Sequence, residues 1–133
     1  MEGFAKSTWT KLPGLDGKRV IKIQCGGECS AILTDDGVYA MGSTLSSGAI
    51  LHTPTRIELP DVVDISLGAY HILAKTANGQ VYAGGDNKSA RGACGVGTIS
   101  HIDKPTRVPF PDDVTVLDIS AGRFHSIFTC KRK

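Results

Sequence analysis

Two histidines hold the same place in two near-identical phrases. His71 closes Gly68-Ala69-Tyr70-His71, and His125 closes Gly122-Arg123-Phe124-His125. An imidazole at a fixed distance from a glycine turn could act as a general base or a metal ligand. An active site is asymmetric, however, and these two recur at one position of a repeat, so each is read as fixing the tight turn of its own unit by bonding nearby backbone. Cys29 stands at the same place in a third phrase, Gly26-Gly27-Glu28-Cys29, where it serves as a small filler.

The remaining chemical candidates are weaker. Cys25 and Cys29 are separated by three residues while Cys94 and Cys130 stand alone, so no zinc framework exists and small apolar packing is expected of all four. Gly84-Gly85-Asp86-Asn87 and Gly92-Ala93-Cys94-Gly95-Val96-Gly97 evoke a phosphate cradle, but no Lys-Ser/Thr and no helix start follows, which leaves turn glycines. Asp35-Asp36 and Asp112-Asp113 have no partner acid or histidine placed by sequence and read as solvated turn charges. Lys131-Arg132-Lys133, with Lys104, Arg107 and Arg123, is the nearest thing to a basic patch. A terminal triplet in a chain of pI 8.4 is a poor footprint for nucleic acid and reads as a solvated tail. No hydrolytic or redox constellation emerges, and no cofactor or metal is expected.

These residues are positioned by a repeat. Ile23 to Thr34, Ile65 to Thr76 and Ile119 to Thr129 carry nearly the same wording. Gly26 to Gly68, Gly37 to Gly79 and Gly42 to Gly84 are each 42 positions apart, which suggests one unbroken alignment of the first unit on the second. Gly68 to Gly122 is 54 positions, so the next unit is 12 longer; 9 extra residues are assigned between Gly84 and Pro105 and 3 between Pro109 and Val116. Each unit opens with an alternating strand (Val20–Cys25, Val62–Leu67, Val116–Ala121), the mark of a half-buried strand. A glycine turn leads to a second strand at Ser30–Leu33, Ile72–Lys75 or Ser126–Thr129. Asp36-Gly37 and Asn78-Gly79 then predict two-residue type I′ hairpins. Third strands follow at Val38–Met41 and Val81–Gly84, and Pro-initiated fourth strands at Thr55–Leu59 and Thr106–Pro109. About ten short strands and no helical period predict an all-β partial β-propeller of about two and three-quarter four-stranded blades.

The pattern Val-x-x-Ile-x-x-Gly-x-x-His-x-x-x-Leu-x-x-x-Gly-x-Val-Tyr-x-x-Gly, with its Gly/Asn loop and Pro-x-x-Val strand, resembles the regulator of chromosome condensation repeat over residues 18 to 130. The second unit matches best. The first departs at Cys29 and at Ser43-Thr44-Leu45-Ser46-Ser47-Gly48, which replaces the longer loop. The resemblance implies a propeller that binds proteins. It also admits a guanine nucleotide exchange factor for a small GTPase, or a fragment of one. Full-length members resemble closed rings of seven blades, so the partner here is expected to be another protein, or further blades from another chain or from copies of this one.

The organisation expected is an N-terminal segment with an opening strand at 1–17 around Trp9, repeat 1 at 18–62, repeat 2 at 63–115, partial repeat 3 at 116–130 and a basic tail at 131–133. Composition is that of an ordinary globular chain of 133 residues, 41% hydrophobic and 21% charged, with a net charge of +2 that creates no long-range field. There is no apolar run of membrane-spanning length and no secretory leader, so an intracellular protein of cytoplasm or nucleus is expected. A protein–protein interaction scaffold or regulatory module within a larger assembly is the function expected. Contacts are assigned to loops Ser43 to Thr53 and Asp86 to Lys104, with Ser43, Leu45, His52, Asp86, Asn87, Lys88, Arg91, His101 and Lys104 as candidates. Gly26, Gly68, Gly122, His71, His125, Gly37 and Gly79 are assigned to structure.

Overall fold

The computed structural model describes residues 8–43, 50–85, 94–95 and 102–133. Ten antiparallel strands are present among them: β1 (Val20–Cys25), β2 (Cys29–Thr34), β3 (Gly37–Gly42), β4 (Leu51–Ile57), β5 (Val62–Leu67), β6 (His71–Thr76), β7 (Val81–Gly85), β8 (Ile102–Arg107), β9 (Val114–Ala121) and β10 (Ser126–Arg132). They form two four-stranded sheets, β1-β2-β3-β4 and β5-β6-β7-β8, and one two-stranded sheet of β9 and β10. These are consecutive blades of an open β-propeller, the last two-stranded. Among the described residues no helix is long and apolar enough to cross a membrane.

Each blade begins alike. The amide of Gly26 donates to the carbonyl of Cys29 at 2.7 Å, and Gly68 to His71 and Gly122 to His125 repeat the bond at 2.8 Å. None of these three glycines has a positive φ. Space is what requires them. A Cβ on Gly26 would lie 2.3 Å from the carbonyl oxygen of Gly68, and one on Gly68 would lie 2.3 Å from that of Gly122. The inner turns therefore stack backbone against backbone from blade to blade.

The outer hairpins differ from the type I′ expectation. Asp36 and Asn78 do not adopt the left-handed φ that such turns demand at both centres. In the second blade Gly79 donates to Thr76 at 3.1 Å and has φ +82°, a type I turn closed by a left-handed glycine. In the first, Thr34 pairs directly with Gly37 across Asp35-Asp36. The second hairpin thus holds one more residue, Gln80. The alignment is consequently broken at that point: Gly42 faces Cys29 and Gly85 faces His71, so the counterpart of Gly42 is Gly85 and not Gly84. One of the nine extra residues belongs to the turn and eight to the following loop.

The outermost strands also move. β4 and β8 start before Pro54 and Pro105 instead of after them, because both prolines sit where the ladder to β3 or β7 shifts register. A missing N–H costs little on such a strand. Trp9 is fully exposed, and among the described residues of the N-terminal segment, 8–19, there is no strand; Gly14 and Gly17, both at positive φ, bend this segment before β1. β10 runs on through Arg132, which makes Lys131 and Arg132 strand residues rather than a tail.

Two apolar clusters fill the spaces between blades. Ala31, Leu33 and Val38 meet Ile65, Leu67, Ile72 and Ala74 between the first and second. Leu73, Val81, Ala83, Cys94 and Val108 meet Val116 and Ile119 between the second and third, with Phe110 edge-on to Phe128 at 5.0 Å. Burial between sheets is what makes each blade stable. No disulfide is present; Cys29 and Cys94 are buried as expected, whereas Cys25 and Cys130 are exposed, Cys25 because no sheet covers its face of β1.

Candidate protein-binding rim

The antiparallel order places the β1–β2, β5–β6 and β9–β10 turns at one end of the blades, together with the ends of the β3–β4 and β7–β8 connections. Three turns built on stacked glycines converge there. They line a cleft of about 540 Å³ with Glu28, Ala69, Tyr70 and Arg123 at its edge. Tyr70 and Phe124 stack at 6.1 Å with 21° between their planes, and the Arg123 guanidinium lies 5.1 Å from the Phe124 ring. An acid, two aromatic rings and a cation are thereby presented side by side, the mixture that protein surfaces use for recognition.

Of the loop candidates, Ser43 joins this rim. Its amide donates to the Glu28 carbonyl and its hydroxyl to Glu28 Oε2, both at 3.0 Å. His52 is also brought in, beside Glu28, Met41 and Leu51 around a second cleft of about 330 Å³. Lys104 is exposed within β8. Leu45, Asp86, Asn87, Lys88, Arg91 and His101 lie outside the described residues, as does most of the Gly92–Gly97 run. The basic residues do not gather: Arg123 is at this rim, while Arg107 and Lys133 flank a cleft at the opposite end with Asp112.

Behind the rim, His71 is fully buried. Its Nε2 lies 2.9 Å from Ser126 Oγ of the third blade, so the ring ties two blades together instead of fixing backbone inside its own. Nδ1 has no hydrogen-bond partner. The Nε2–H tautomer leaves a bare lone pair there, which costs less than a buried N–H without an acceptor. Burial, and then repulsion from His125, pushes the His71 pKa down to about 4. A neutral ring locked between blades is a structural part and a poor proton shuttle. His125, at the same position of the third blade, is exposed because no sheet lies beyond it.

Further inter-blade bonds repeat the theme. Lys22 Nζ donates to Asp64 Oδ1 at 2.7 Å, Lys75 Nζ to the Leu117 carbonyl at 2.9 Å, and the Ala121 amide to Ser66 Oγ at 2.9 Å. The Asp35-Asp36 pair is engaged locally. Asp36 accepts from the Tyr39 hydroxyl at 2.6 Å and from Lys18 at 2.9 Å, which holds its carboxyl below, and the Lys18 amine above, the ordinary range. Asp35 accepts the Arg19 amide at 3.0 Å. Among the described residues no group of three or more His, Cys, Asp or Glu could hold a metal ion.

Tyr70, Phe124, Glu28 and Arg123 escaped sequence reasoning as site residues. Their signal is present, for they fill the two positions between the glycine and the His or Cys, where the three turns differ most.

Known proteins bear on this geometry. Models of the regulator of chromosome condensation (RCC1) repeat match residues 62–91 and 78–129. The E3 ubiquitin-protein ligase HERC2 of Homo sapiens is 33% identical over 123 residues, covering 85% of this chain and 2% of HERC2. Alsin of Homo sapiens is 29% identical over 132 residues, 88% of this chain and 8% of alsin. The chain thus spans a small fraction of the curated relatives it matches. Among solved structures, Prp20p of Saccharomyces cerevisiae, described with its binding to Gsp1p and histones, superposes with a TM-score of 0.79 at 22% identity, covering 92% of this chain and 33% of Prp20p. Human WBSCR16 superposes with a TM-score of 0.73 at 24% identity, over 86% of this chain and 31% of that one. At these identities the likeness concerns fold.

Proposed function

The chain belongs to the regulator of chromosome condensation (RCC1) repeat family, and from that premise we propose that it is a protein–protein interaction module acting inside the cell, with no covalent chemistry of its own. The observation that supports this reading is the rim where Glu28, Tyr70, Arg123 and Phe124 are held by three stacked glycine turns and joined by Ser43. A surface fixed by packed backbone loses little freedom on binding. One solved protein of the same fold, Prp20p, is described with binding to Gsp1p and histones and, in a second structure, bound to Kap60.

The test is affinity capture from cell extract with identification by mass spectrometry. The wild-type chain, the Tyr70→Ala/Phe124→Ala variant and an Asp112→Ala control at the opposite rim are compared. Partners lost with the first variant and kept with the control support the rim. Partners kept by both remove it. Replacing residues 96 to 101 by a short Gly/Ser linker, which spares the buried Cys94, tests the loop contribution: folding is expected to be retained and binding weakened. The competing reading, nucleotide exchange on a small GTPase, would work by favouring the nucleotide-free partner. Fluorescent-GDP release across a GTPase panel separates the two, since a binding module alone gives no acceleration.

A further inference from the structure

The first two blades differ at one place on the end opposite the rim. In the first, Lys18 Nζ lies 2.9 Å from Asp36 Oδ2 and 5.6 Å from the centre of the Tyr39 ring, and the Tyr39 hydroxyl donates to the same carboxylate oxygen at 2.6 Å. An ammonium is thus held between an acid and an aromatic face.

The second blade repeats the frame without the amine. Asp35 donates its amide to the Arg19 carbonyl at 3.0 Å, and Ala77 donates to the Asp61 carbonyl at the same distance, so Asp61 stands where Arg19 does and Pro60 where Lys18 does. Tyr39 faces Ile32 and Arg56 across its ladders, and Tyr82 faces Ala74 and Arg107, which makes the two tyrosines equivalent. Proline has no ammonium to offer. Where Lys18 sits in the first blade, the second has a cleft of about 290 Å³ lined by Pro60, Asp61, Thr76, Asn78, Gln80 and Tyr82. One blade builds the whole cleft: Pro60 and Asp61 lead into β5, Thr76 ends β6, Asn78 and Gln80 turn the chain, and Tyr82 lies on β7.

Its electrostatics suit a cation. Among the described residues, Asp61 is the one charged group lining it, and Arg107, the counterpart of Arg56, lines the neighbouring cleft with Lys133 instead. Asn78 replaces Asp36, and its side-chain oxygen accepts from the Thr76 hydroxyl. The Tyr82 hydroxyl and the Asp61 carboxylate are left with no hydrogen bond or ion pair among the described residues. Asp61 is also the one described non-glycine residue with a left-handed backbone, φ 44°. Backbone strain of this kind is held only where the surroundings impose it, and it gathers at ligand sites.

We propose that this cleft is a lysine-binding site: it takes the ammonium of a lysine side chain from a partner protein, with the Asp61 carboxylate as counter-ion and the Tyr82 ring as the face beside it. Lys18 is the pattern for such an occupant, held in the first blade by the same tyrosine and an acid. The site goes beyond the rim reading, lies at the other end of the blades and shares no residue with it.

Titration of the isotope-labelled chain with Nα-acetyl-lysine methylamide, followed by amide NMR, tests it. The expected result is saturable shifts confined to Asp61, Asn78, Gln80, Tyr82 and their neighbours. The dissociation constant should be on the order of 10 mM, that of one charged hydrogen bond and one cation–π contact. The Nε-acetylated analogue, which lacks the charge, is expected to give no saturable shift. Asp61→Asn keeps a side chain tolerant of the left-handed backbone and is expected to weaken binding about tenfold. Glu58→Gln, at an exposed acid outside the cleft, is expected to leave it unchanged. No saturable shift with the lysine probe, equal shifts from the acetylated analogue, shifts spread over all exposed acids, or an Asp61→Asn chain that binds like the wild type would each overturn the proposal. The rim variant Tyr70→Ala/Phe124→Ala is expected to bind the probe as the wild type does, so failure of the rim reading leaves these outcomes untouched.

Discussion

Acid should weaken this protein through a single buried ring. His71 is inaccessible to solvent, its Nδ1 has no acceptor, and its pKa is about 4 against about 6.5 for a free side chain. As pH falls below about 6.5 the unfolded chain takes up the proton and the folded chain does not until about pH 4. Stability carried by the neutral ring is thus fully present above that window, is lost across it, and levels off below. Each pH unit of the gap is worth about 1.4 kcal/mol, so the ceiling is about 3 kcal/mol. That is a large share of the roughly 5–15 kcal/mol that holds an ordinary domain. Urea denaturation at half-unit steps between pH 7 and pH 4 measures the slope. His71→Gln is the control, since an amide can still bond Ser126 Oγ and cannot be charged in this range. Its absolute stability will be lower, but the pH dependence is what is compared, and the carboxylates titrate alike in both chains. The variant is expected to lose most of the dependence. An unchanged slope, or a His71 ring titrating near 6.5 by NMR, would refute the reasoning.

Four other outcomes are expected in the same denaturation assay. Gly26→Ala forces a methyl against the Gly68 carbonyl and should cost about 1–3 kcal/mol or more, whereas Gly17→Ala meets nothing within 4 Å and should cost only about 1 kcal/mol for its positive φ. Leu73→Ala, at a fully buried position facing the third blade, should cost about 2–5 kcal/mol. Lys22→Met removes a half-exposed ion pair with Asp64 and should cost under about 1 kcal/mol, a difference that shrinks in high salt. The second hairpin should tolerate deletion of Gln80 better than substitution of Gly79, because the deletion restores the shorter loop of the first blade while Gly79 carries the left-handed φ.

Strand content was legible because period-two alternation and Gly-x-x-His turns are local signals. β1 and β5 match their expected limits to the residue. What local patterns could not convey was pairing. Asp36-Gly37 and Asn78-Gly79 look identical, yet one loop is a residue longer because Gln80 precedes Val81 where Gly37 directly precedes Val38. Only the ladder reveals it. Pro54 and Pro105 looked like strand starts, since proline is excluded from interior strands, and they lie within outer strands where the register slips. Of the residues at the rim, Ser43 and His52 were singled out through their loops, whereas Tyr70 and Phe124 were not singled out at all, because only the stacking of blades brings them to 6.1 Å.

The histidines show why comparing repeats position by position misleads. Superimposed, Cys29, His71 and His125 look like one site with a substitution in the first copy. In space Cys29 and His71 each address the next blade, and the fitness of each depends on the residue there. His71 is right because Ser126 is polar, and Cys29 is right because Ile72 is not. The informative comparison in such a chain is therefore diagonal, from one unit to its successor. A substitution judged conservative within a column, such as His71→Cys, should behave as a mismatch, leaving the Ser126 hydroxyl facing a thiol. The compensated pair His71→Cys/Ser126→Ile should recover stability that neither single change keeps. Urea midpoints of the two singles and the double measure that coupling, and simple additivity would show that the blades do not read one another in this way.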